Sequence, residues 1–341
     1  MPVTINEIAA LANVSRATVD KVLHNRPGIK KETRERVQAI LDNVNYQPNL
    51  AGKALVLSKN PVKVGVILTP EYNSFIKVLL GGIQKAQKEF APFGFEVIVK
   101  MLISLESADM ISILNELENM NIAGLALLPI DSRQVIQKIR QMQENGIKVL
   151  TFNSMLEEIK GFRYIGQDHV KAGFVAGGLM EKLLPDGGKV GVIISSKTLS
   201  CHPDRLNGFR KRLLECRNTI EIVEIAENQD KKEDAFMITL GYLNKYPDLD
   251  GIYMSGNGSD GVRNAMHVAA VNHHIKLISH DLVPETETLL KEGVIDFVIS
   301  QDAREQGYQI VKQLFDYLIK NQIPQNYIYE IPIQIITREM I

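Results

Sequence analysis

The 341-residue sequence predicts an α/β protein: a small, all-α N-terminal head, and a larger body of two subdomains built on doubly wound parallel sheets. Helical patterns fill the first residues of the chain. From Val62 onward, short apolar runs alternate with amphipathic stretches. Charge separates the same two parts, because residues 1–59 hold nine Lys or Arg against five Asp or Glu, in a chain of net charge −1. A basic head on an acidic body is typical of a protein whose head alone meets a polyanion.

Three short helices are predicted in the head. Thr4 can cap the first helix, with Glu7 at the spacing of a capping box. Asn13 suits the left-handed residue of a tight turn, and Ser15 can cap a second helix, RATVDKVL. A third helix is expected at about 31–43. Two short helices joined by a tight turn and braced by a third are typical of a helix-turn-helix.

The second helix of such a motif enters the major groove of DNA, and its first residues reach the base edges. Arg16 and Ala17 occupy those positions, and Lys21 follows one turn later. Arginine is the commonest reader of guanine, through O6 and N7. The spacing of the helices favours DNA binding over the alternative, a three-helix bundle with a protein partner.

Apolar runs divide the body into two series of four predicted strands. They lie at 62–68, 96–102, 124–129 and 148–153, and then at 189–195, 221–226, 251–256 and 276–281. Their spacing fits βα units with a parallel sheet in each subdomain. Runs at 164–167, 296–301 and 331–339 are expected to supply edge strands and crossovers.

Ligands of open α/β sheets bind beyond the carboxyl ends of the strands. The residues that follow the predicted strands are mostly polar, with one aromatic, which suits a small polyol such as a sugar. The candidate ligand-binding residues, which become effector-binding residues if the protein is a regulator, are Asn73, Phe75, Asp131, Asn153, Ser154, His202, Arg205, Asn257, Asp281 and Gln301.

The stretches VTINEIAALANVSRATVDKVLHN, ETRERV and NYQPNLAGKAL resemble the head and hinge of the LacI/GalR family of bacterial transcription regulators. In that family the hinge folds into a helix on DNA, and a leucine wedges into the minor groove. The resemblance places this leucine at Leu55. The expected DNA-binding residues are Thr4, Ser15, Arg16, Ala17, Thr18, Lys21, His24, Asn25, Tyr46, Asn49, Lys53 and Leu55.

The body resembles a periplasmic-binding-protein-type sensor. The resemblance implies that Phe75 meets a sugar ring, and that Asn153 and Arg205, in RLNGF, bind hydroxyls. Asn257, Asp281 and Gln301 fall at contact positions of the family. Departures occur at Asp20 and Lys21, where the family usually has Ser and Arg, and at His202, where ribose-type binders often have Arg.

These features predict a transcription regulator whose affinity for operator DNA is changed by a small effector, most simply a monosaccharide or sugar derivative, bound between the two subdomains. A homodimer would match a pseudo-palindromic operator. The expected domains are a head at 1–45, a hinge at 46–60 and a body at 61–341, whose subdomains take about 61–165 plus 295–325 and about 166–294 plus 326–341.

Rival functions have weaker support. The GNGSDG stretch from Gly256 to Gly261 fits the dinucleotide-binding loop of a nucleotide-cofactor-dependent oxidoreductase, but it follows the seventh predicted strand rather than the first of a domain. His267, His273 and His274 lack carboxylates or cysteines at metal-ligand spacing. No HExxH, GxSxG or P-loop motif occurs, so we expect a protein that is not an enzyme and uses no cofactor or metal.

A cytoplasmic protein is expected. The start of the chain lacks the pattern of a secretory signal, and no apolar run approaches the roughly 20 residues of a membrane span. Two cysteines, Cys201 and Cys216, make no disulfide framework. A sugar receptor without a DNA role would need export, which disfavours that third class of function.

Overall fold

The computed structural model of the chain describes residues 3–23, 26–44, 54, 57, 59–70, 73–159, 161–215 and 219–341. Most of the expected hinge, including Tyr46, Asn49, Lys53 and Leu55, lies outside the described residues, as do His24 and Asn25. The remaining residues form the predicted head and two sheets covered by helices.

The head consists of α1 (Ile5–Leu11), α2 (Arg16–Leu23) and α3 (Lys31–Asn43). The predicted capping box is confirmed, because the Glu7 amide donates to Thr4 Oγ1 at 3.3 Å and the Thr4 amide donates to the Glu7 carboxylate at 2.7 Å. Asn13 is left-handed, with φ of 50°, and the Thr18 amide donates to Ser15 Oγ at 3.2 Å. The helices close over a small core that includes the fully buried Ile8, Val19 and Val37.

Two six-stranded sheets form the body. The first has the order β11-β5-β4-β3-β1-β2 and the second the order β12-β10-β9-β8-β6-β7. All pairs described are parallel except that of β12 with β10. The strands are β1 (Val62–Leu68), β2 (Phe95–Met101), β3 (Gly124–Leu127), β4 (Lys148–Phe152), β5 (Arg163–Gly166), β6 (Gly188–Ile194), β7 (Ile220–Glu227), β8 (Gly251–Met254), β9 (Lys276–His280), β10 (Phe297–Ser300), β11 (Ile328–Glu330) and β12 (Gln334–Ile336).

Helices cover both faces of each sheet, which explains why the central strands read as continuous apolar runs. The first sheet carries α4 (Ser74–Phe90), α5 (Ser107–Asn119), α6 (Arg133–Glu144) and α12 (Ala303–Leu318). The second carries α7 (His169–Leu183), α8 (Cys201–Leu214), α9 (Lys232–Lys245), α10 (Ser259–Val268) and α11 (Pro284–Lys291).

The division of the C-terminal part between the subdomains differs from the expectation. We expected 295–325 in the first subdomain and 326–341 in the second. In the structure β10 pairs with β9 of the second sheet, and β11 pairs with β5 of the first. The chain therefore crosses between the sheets at 167–168, 301–302 and 331–333. Three-residue β11 had no run of its own in the predicted strands, because Ile328 and Glu330 are exposed at a sheet edge.

Close helix packing in the second subdomain depends on glycine. A Cβ atom on Gly173 of α7 would lie 1.8 Å from the carbonyl oxygen of Arg205 on α8. Gly178 of the same helix has only an ordinary 3.5 Å contact with the Arg212 side chain. Gly173 therefore sets how closely α7 approaches the backbone that carries Arg205.

We expect Gly173→Ala to lower the free energy of unfolding by about 1–3 kcal/mol, because the helices must separate. The matched variant Gly178→Ala gains up to about 1 kcal/mol from helix propensity. Urea unfolding followed by circular dichroism compares the two. Equal effects of both substitutions would show that the α7–α8 approach is not constrained at Gly173.

Candidate functional site

A cleft lies between the two subdomains, at the carboxyl ends of the strands of both sheets. Eight of the ten predicted effector residues line it: Asn73, Phe75, Asn153, His202, Arg205, Asn257, Asp281 and Gln301. The lining also includes residues that the sequence reasoning missed, namely Thr69, Ile76, Leu128, Leu199, Asp230, Gly256, His280, Val283 and Thr286. Residues far apart in the chain thus meet in one chamber, and most of the side chains that line it are of polar residues.

Two predicted residues do not line the cleft. Asp131 is exposed, because the chain runs on past β3 and Leu128 takes the lining position instead. The Asp131 amide donates to the Thr198 carbonyl at 2.9 Å. Ser154 is buried, and its Oγ accepts a hydrogen bond from the Cys201 amide at 3.3 Å. Both residues therefore connect the subdomains rather than line the chamber.

Among the described residues that line the cleft, Arg205 is the only cation, and it is 1% exposed. Its Nη1 donates to the Ser255 carbonyl at 2.8 Å. Nε and Nη2 have no hydrogen-bond partner within the described residues. These two nitrogens form one edge of the planar guanidinium, which suits two oxygens side by side. Arg205 can therefore donate to a pair of neighbouring ligand oxygens.

Two carboxylates share the cleft with Arg205. Asp281 accepts a hydrogen bond from Gln301 Nε2 at 2.8 Å, and Asp230 accepts from Asn73 Nδ2 at 2.8 Å and from the Asn257 amide at 3.0 Å. Burial raises the pKa of both carboxyls, against the opposing effect of these donors and of Arg205. Asp230 follows β7, which the sequence predicts as a strand at 221–226, but the candidate residues include none that follows that strand.

Two histidines in the lining stay neutral at physiological pH. Burial, together with the charge of Arg205, lowers the pKa of His202 to about 3 and that of His280 well below its ordinary value. His280 Nε2 lies 2.8 Å from the Tyr253 hydroxyl, and the Nδ1 atoms of both histidines have no partner within the described residues. These rings thus add hydrogen-bonding atoms without adding charge.

Three of the residues that follow strands and line the cleft have a left-handed backbone conformation. Asn153, Asp230 and Asp281 follow β4, β7 and β9 with φ angles of 57°, 58° and 67°. Apart from glycine, Asn and Asp are the residues that tolerate this conformation best. The backbone at these strand ends and the chemistry of the lining therefore favour the same residue types.

Direct contacts hold the cleft closed. Besides the Asn73–Asp230 hydrogen bond, Ser74 Oγ donates to Glu285 Oε1 at 2.8 Å, and the Met155 amide donates to Ser200 Oγ at 3.1 Å. Each pair joins the first subdomain to the second. Leu199 and Cys201 also pack against the core of the first subdomain. The structure is therefore a closed conformation.

The candidate DNA surface lies on the head. Arg16, Ala17 and Lys21 are exposed on α2, while Val19 and Val22 face the core. The hydroxyls of Ser15 and Thr18 lie 2.9 Å apart at the start of α2, next to the exposed Arg16. This geometry leaves the first turn of the predicted recognition helix accessible.

The GNGSDG loop contributes Gly256 and Asn257 to the lining of the cleft. Its Asn257 amide donates to the buried carboxylate of Asp230, and Asn257 Nδ2 donates to the Asp230 carbonyl at 2.9 Å. The backbone amide of Asn257 already has a carboxylate acceptor, and the buried Asp230 beside the loop would repel a pyrophosphate when ionised. The arrangement therefore disfavours the oxidoreductase alternative.

Comparison with known families agrees with this architecture. Residues 4–49 match the model of the bacterial regulatory proteins of the lacI family, and residues 64–322 match that of a periplasmic binding protein domain. The chain belongs to the lacI family of bacterial regulatory proteins. It is a transcriptional regulator in which a helix-turn-helix head precedes a periplasmic-binding-protein-like body, as the sequence predicted.

Relatives of this lacI-family chain include regulators and binding proteins. It is 26% identical over 297 residues to the HTH-type transcriptional regulator MalR of Streptococcus pneumoniae, covering 83% of this chain and 84% of that protein. It is 23% identical over 289 residues to a D-ribose/D-allose-binding protein of Pseudomonas aeruginosa, covering 81% of this chain and 88% of that one.

Solved structures share the fold of the lacI-family body. GanP, a glucose-galactose binding protein from Geobacillus stearothermophilus, aligns with a TM-score of 0.75 at 20% identity over 82% of this chain and 98% of its own. A putative LacI transcriptional regulator from Bacteroides fragilis aligns with a TM-score of 0.74 at 18% identity over the same shares. Among the described residues of this chain, none forms a helix long and apolar enough to span a membrane.

The raised pKa of Asp281 predicts a pH-dependent stability. Because burial disfavours ionised Asp281 in the folded state, the wild type loses stability as pH rises from the unfolded pKa through the folded pKa. Asp281→Asn avoids this loss. We expect the variant to match the wild type at acidic pH and to exceed it in free energy of unfolding at pH 7, as measured by urea titration across pH.

Asp248→Asn provides a control of opposite sign. A hydrogen bond from Lys189 lowers the pKa of Asp248, so this substitution removes stability that is present above the unfolded pKa. If Asp281→Asn were less stable than the wild type at pH 7, with a gap that widened as pH rose, the cleft would not penalise ionised Asp281.

Proposed function

We propose that the cleft binds an uncharged polyhydroxylated effector, most simply a monosaccharide or sugar derivative, and that binding changes the affinity of the head for operator DNA. The main support for this proposal is the buried Arg205, whose Nε and Nη2 atoms have no hydrogen-bond partner within the described residues. A buried guanidinium edge without a partner is costly, and a vicinal diol would supply two acceptors in the required geometry.

The carboxylates indicate what the other side of the effector offers. Asp230 and Asp281 accept hydrogen bonds, so they suit ligand hydroxyls, which donate. With both carboxyls ionised, two negative charges face one guanidinium, while His202 and His280 are neutral. A further anion would increase the repulsion in a buried site. A neutral sugar therefore fits better than a sugar acid or a sugar phosphate.

The aromatic and amide groups support the same ligand class. Phe75 offers an apolar surface to a ring, and Asn153 has an Oδ1 atom with no partner within the described residues. Each subdomain contributes part of the lining, so an effector that contacts both favours the closed conformation over the open one. Coupling between an effector and a second site is typically about 1–3 kcal/mol.

For DNA binding, we propose that Arg16, Ala17 and Lys21 contact base edges and that Thr4, Ser15 and Thr18 contact the DNA backbone. A homodimer would present two heads to the half-sites of a pseudo-palindromic operator. The hinge at 46–60, with Leu55 as its wedge, is part of this proposal.

Selection of genomic fragments by the purified full-length protein tests the DNA role. At about 150 mM salt, where non-specific phosphate binding is weak, we expect enrichment of a short palindrome. Arg16→Ala should weaken binding to that palindrome by about 1–3 kcal/mol and relax one position in each half-site. Binding is measured by fluorescence anisotropy, and Lys88→Ala, on an exposed position of the body, removes the same charge as a control.

Two results would contradict the DNA role. If the selected fragments shared no common sequence, with the protein alone and with each sugar that it binds, the head would not be a sequence-specific DNA-binding domain. An unchanged motif for Arg16→Ala would move base recognition away from the start of α2.

Arg205→Lys tests the effector site. Lysine keeps the charge but loses the paired donors, so we expect affinity for the effector to fall about 10- to 100-fold. A thermal-shift screen of neutral aldoses, with their uronic acids and phosphates, identifies the effector, and calorimetry measures its affinity. Arg210→Lys, on the exposed side of the same helix, should bind normally.

Operator affinity without effector should be unchanged in Arg205→Lys. Equal effector affinity in Arg205→Lys and the wild type would place the ligand elsewhere. Binding of the uronic acid or the phosphate in preference to the neutral sugar would contradict the proposed ligand class.

A further inference from the structure

The three crossovers between the subdomains meet at one side chain, that of Gln167. Gln167 lies in the crossover 167–168 and is 2% exposed. Its Nε2 donates to the Ser300 carbonyl at 2.8 Å, at the entrance to the crossover 301–302, and to the Pro332 carbonyl at 3.1 Å, within the crossover 331–333. One amide group thus joins segments that are 133 and 165 residues away in the sequence.

The amide group suits this position chemically. Two carbonyl oxygens require two donated protons, and a primary amide nitrogen carries two. Gln167 Oε1, by contrast, has no partner within the described residues. The two donated bonds are therefore the contacts that offset the burial of this polar group, and they exist only while the three crossovers keep their present arrangement.

Gln167 is also connected to residues that line the cleft. Ser300 precedes Gln301, which donates to Asp281 at 2.8 Å. The backbone carbonyl of Gln167 accepts from the Tyr164 hydroxyl at 3.2 Å, and the same hydroxyl lies 3.4 Å from the Asn153 carbonyl. Gln167 therefore lies between Asn153 of the first subdomain and Gln301 of a crossover.

We propose that Gln167 is a positioning residue of the effector site. Its hydrogen bonds hold the three crossovers in the geometry of the closed cleft and thereby set the fraction of molecules that are closed. This inference rests on the proposed function, in which an effector binds between the subdomains and closure of the cleft affects its binding. Gln167 touches no ligand itself. It acts by holding Asn153 and Gln301 in their places across the cleft.

The distance across the cleft, measured without any effector, tests the inference. Spin labels at Lys77→Cys on α4 and Glu233→Cys on α9 lie on opposite sides of the groove beside the cleft. Cys216→Ser removes one native thiol, and Cys201 is buried, which raises its pKa to about 11 and keeps it unreactive. Pulsed dipolar spectroscopy of the full-length protein then gives the closed and open fractions.

Two variants remove the hydrogen bonds that Gln167 donates to the other crossovers. Gln167→Met keeps the length of the side chain without its donors, and Gln167→Glu keeps its shape but turns carboxylate oxygens toward two carbonyls. We expect the ratio of closed to open molecules to fall at least about fivefold in both, with the larger effect in Gln167→Glu. Effector affinity, once an effector is known, should weaken by the fraction of closed molecules lost.

Thr239→Val is the matched control. Thr239 is fully buried in α9, and its hydroxyl donates to the Ala235 carbonyl at 2.7 Å within the second subdomain. The substitution therefore removes a buried hydrogen bond far from the crossovers. We expect a lower melting temperature and an unchanged distance distribution, which separates loss of stability from loss of positioning.

Distance distributions identical to wild type in both Gln167 variants would overturn the inference, whatever their melting temperatures. So would failure of both variants to fold while Thr239→Val folds, since Gln167 would then be needed for folding rather than for positioning. Neither outcome depends on the identity of the effector or the operator. A failure of the inference is thus distinguishable from a failure of the proposed function.

Discussion

The buried charge of Arg205 is the constraint on which the cleft depends. A guanidinium removed from water costs several kcal/mol unless partners compensate it, and the cleft supplies two carboxylates, a backbone carbonyl and neutral histidines. The subdomains must meet around this charge without satisfying all of its donors. Close packing of α7 at Gly173 fixes the position of the Arg205 backbone within the second subdomain.

The strand ends explain why much of the site could be predicted from the sequence. Parallel strands bring the residues that follow them to one edge of the sheet, so reading those residues in order amounts to reading the lining of a cleft. Asn153 and Asp281 were found in this way. Asp131 was wrong because the rule assumes that the turn follows the strand at once, and the segment after β3 instead runs three further residues along the edge. Asp230 obeys the rule at β7.

The crossovers could not be predicted in the same way. Nothing local to β10 or β11 says which sheet it joins, because both are short and each could complete an edge. Assignment is decided by partners far away in the chain, β9 for β10 and β5 for β11. Gln167 carries no sequence signal either. A glutamine between Gly166 and Asp168 is unremarkable until the carbonyls of Ser300 and Pro332 are placed beside it.

The covalent connection from head to body enters the first subdomain, because β1 is the first strand after the head in the chain. If the proposed effector changes the angle between the subdomains, the head is expected to move with the first subdomain relative to the second. The three crossovers are the covalent links about which such a movement must occur. Contacts at the crossovers and contacts in the cleft consequently stabilise the same closed arrangement. The crossover contacts are made by the chain itself, and the cleft contacts would be joined by those of the proposed effector. An effector that adds contacts in the cleft favours that arrangement only to the extent that it binds the closed form more tightly than the open one.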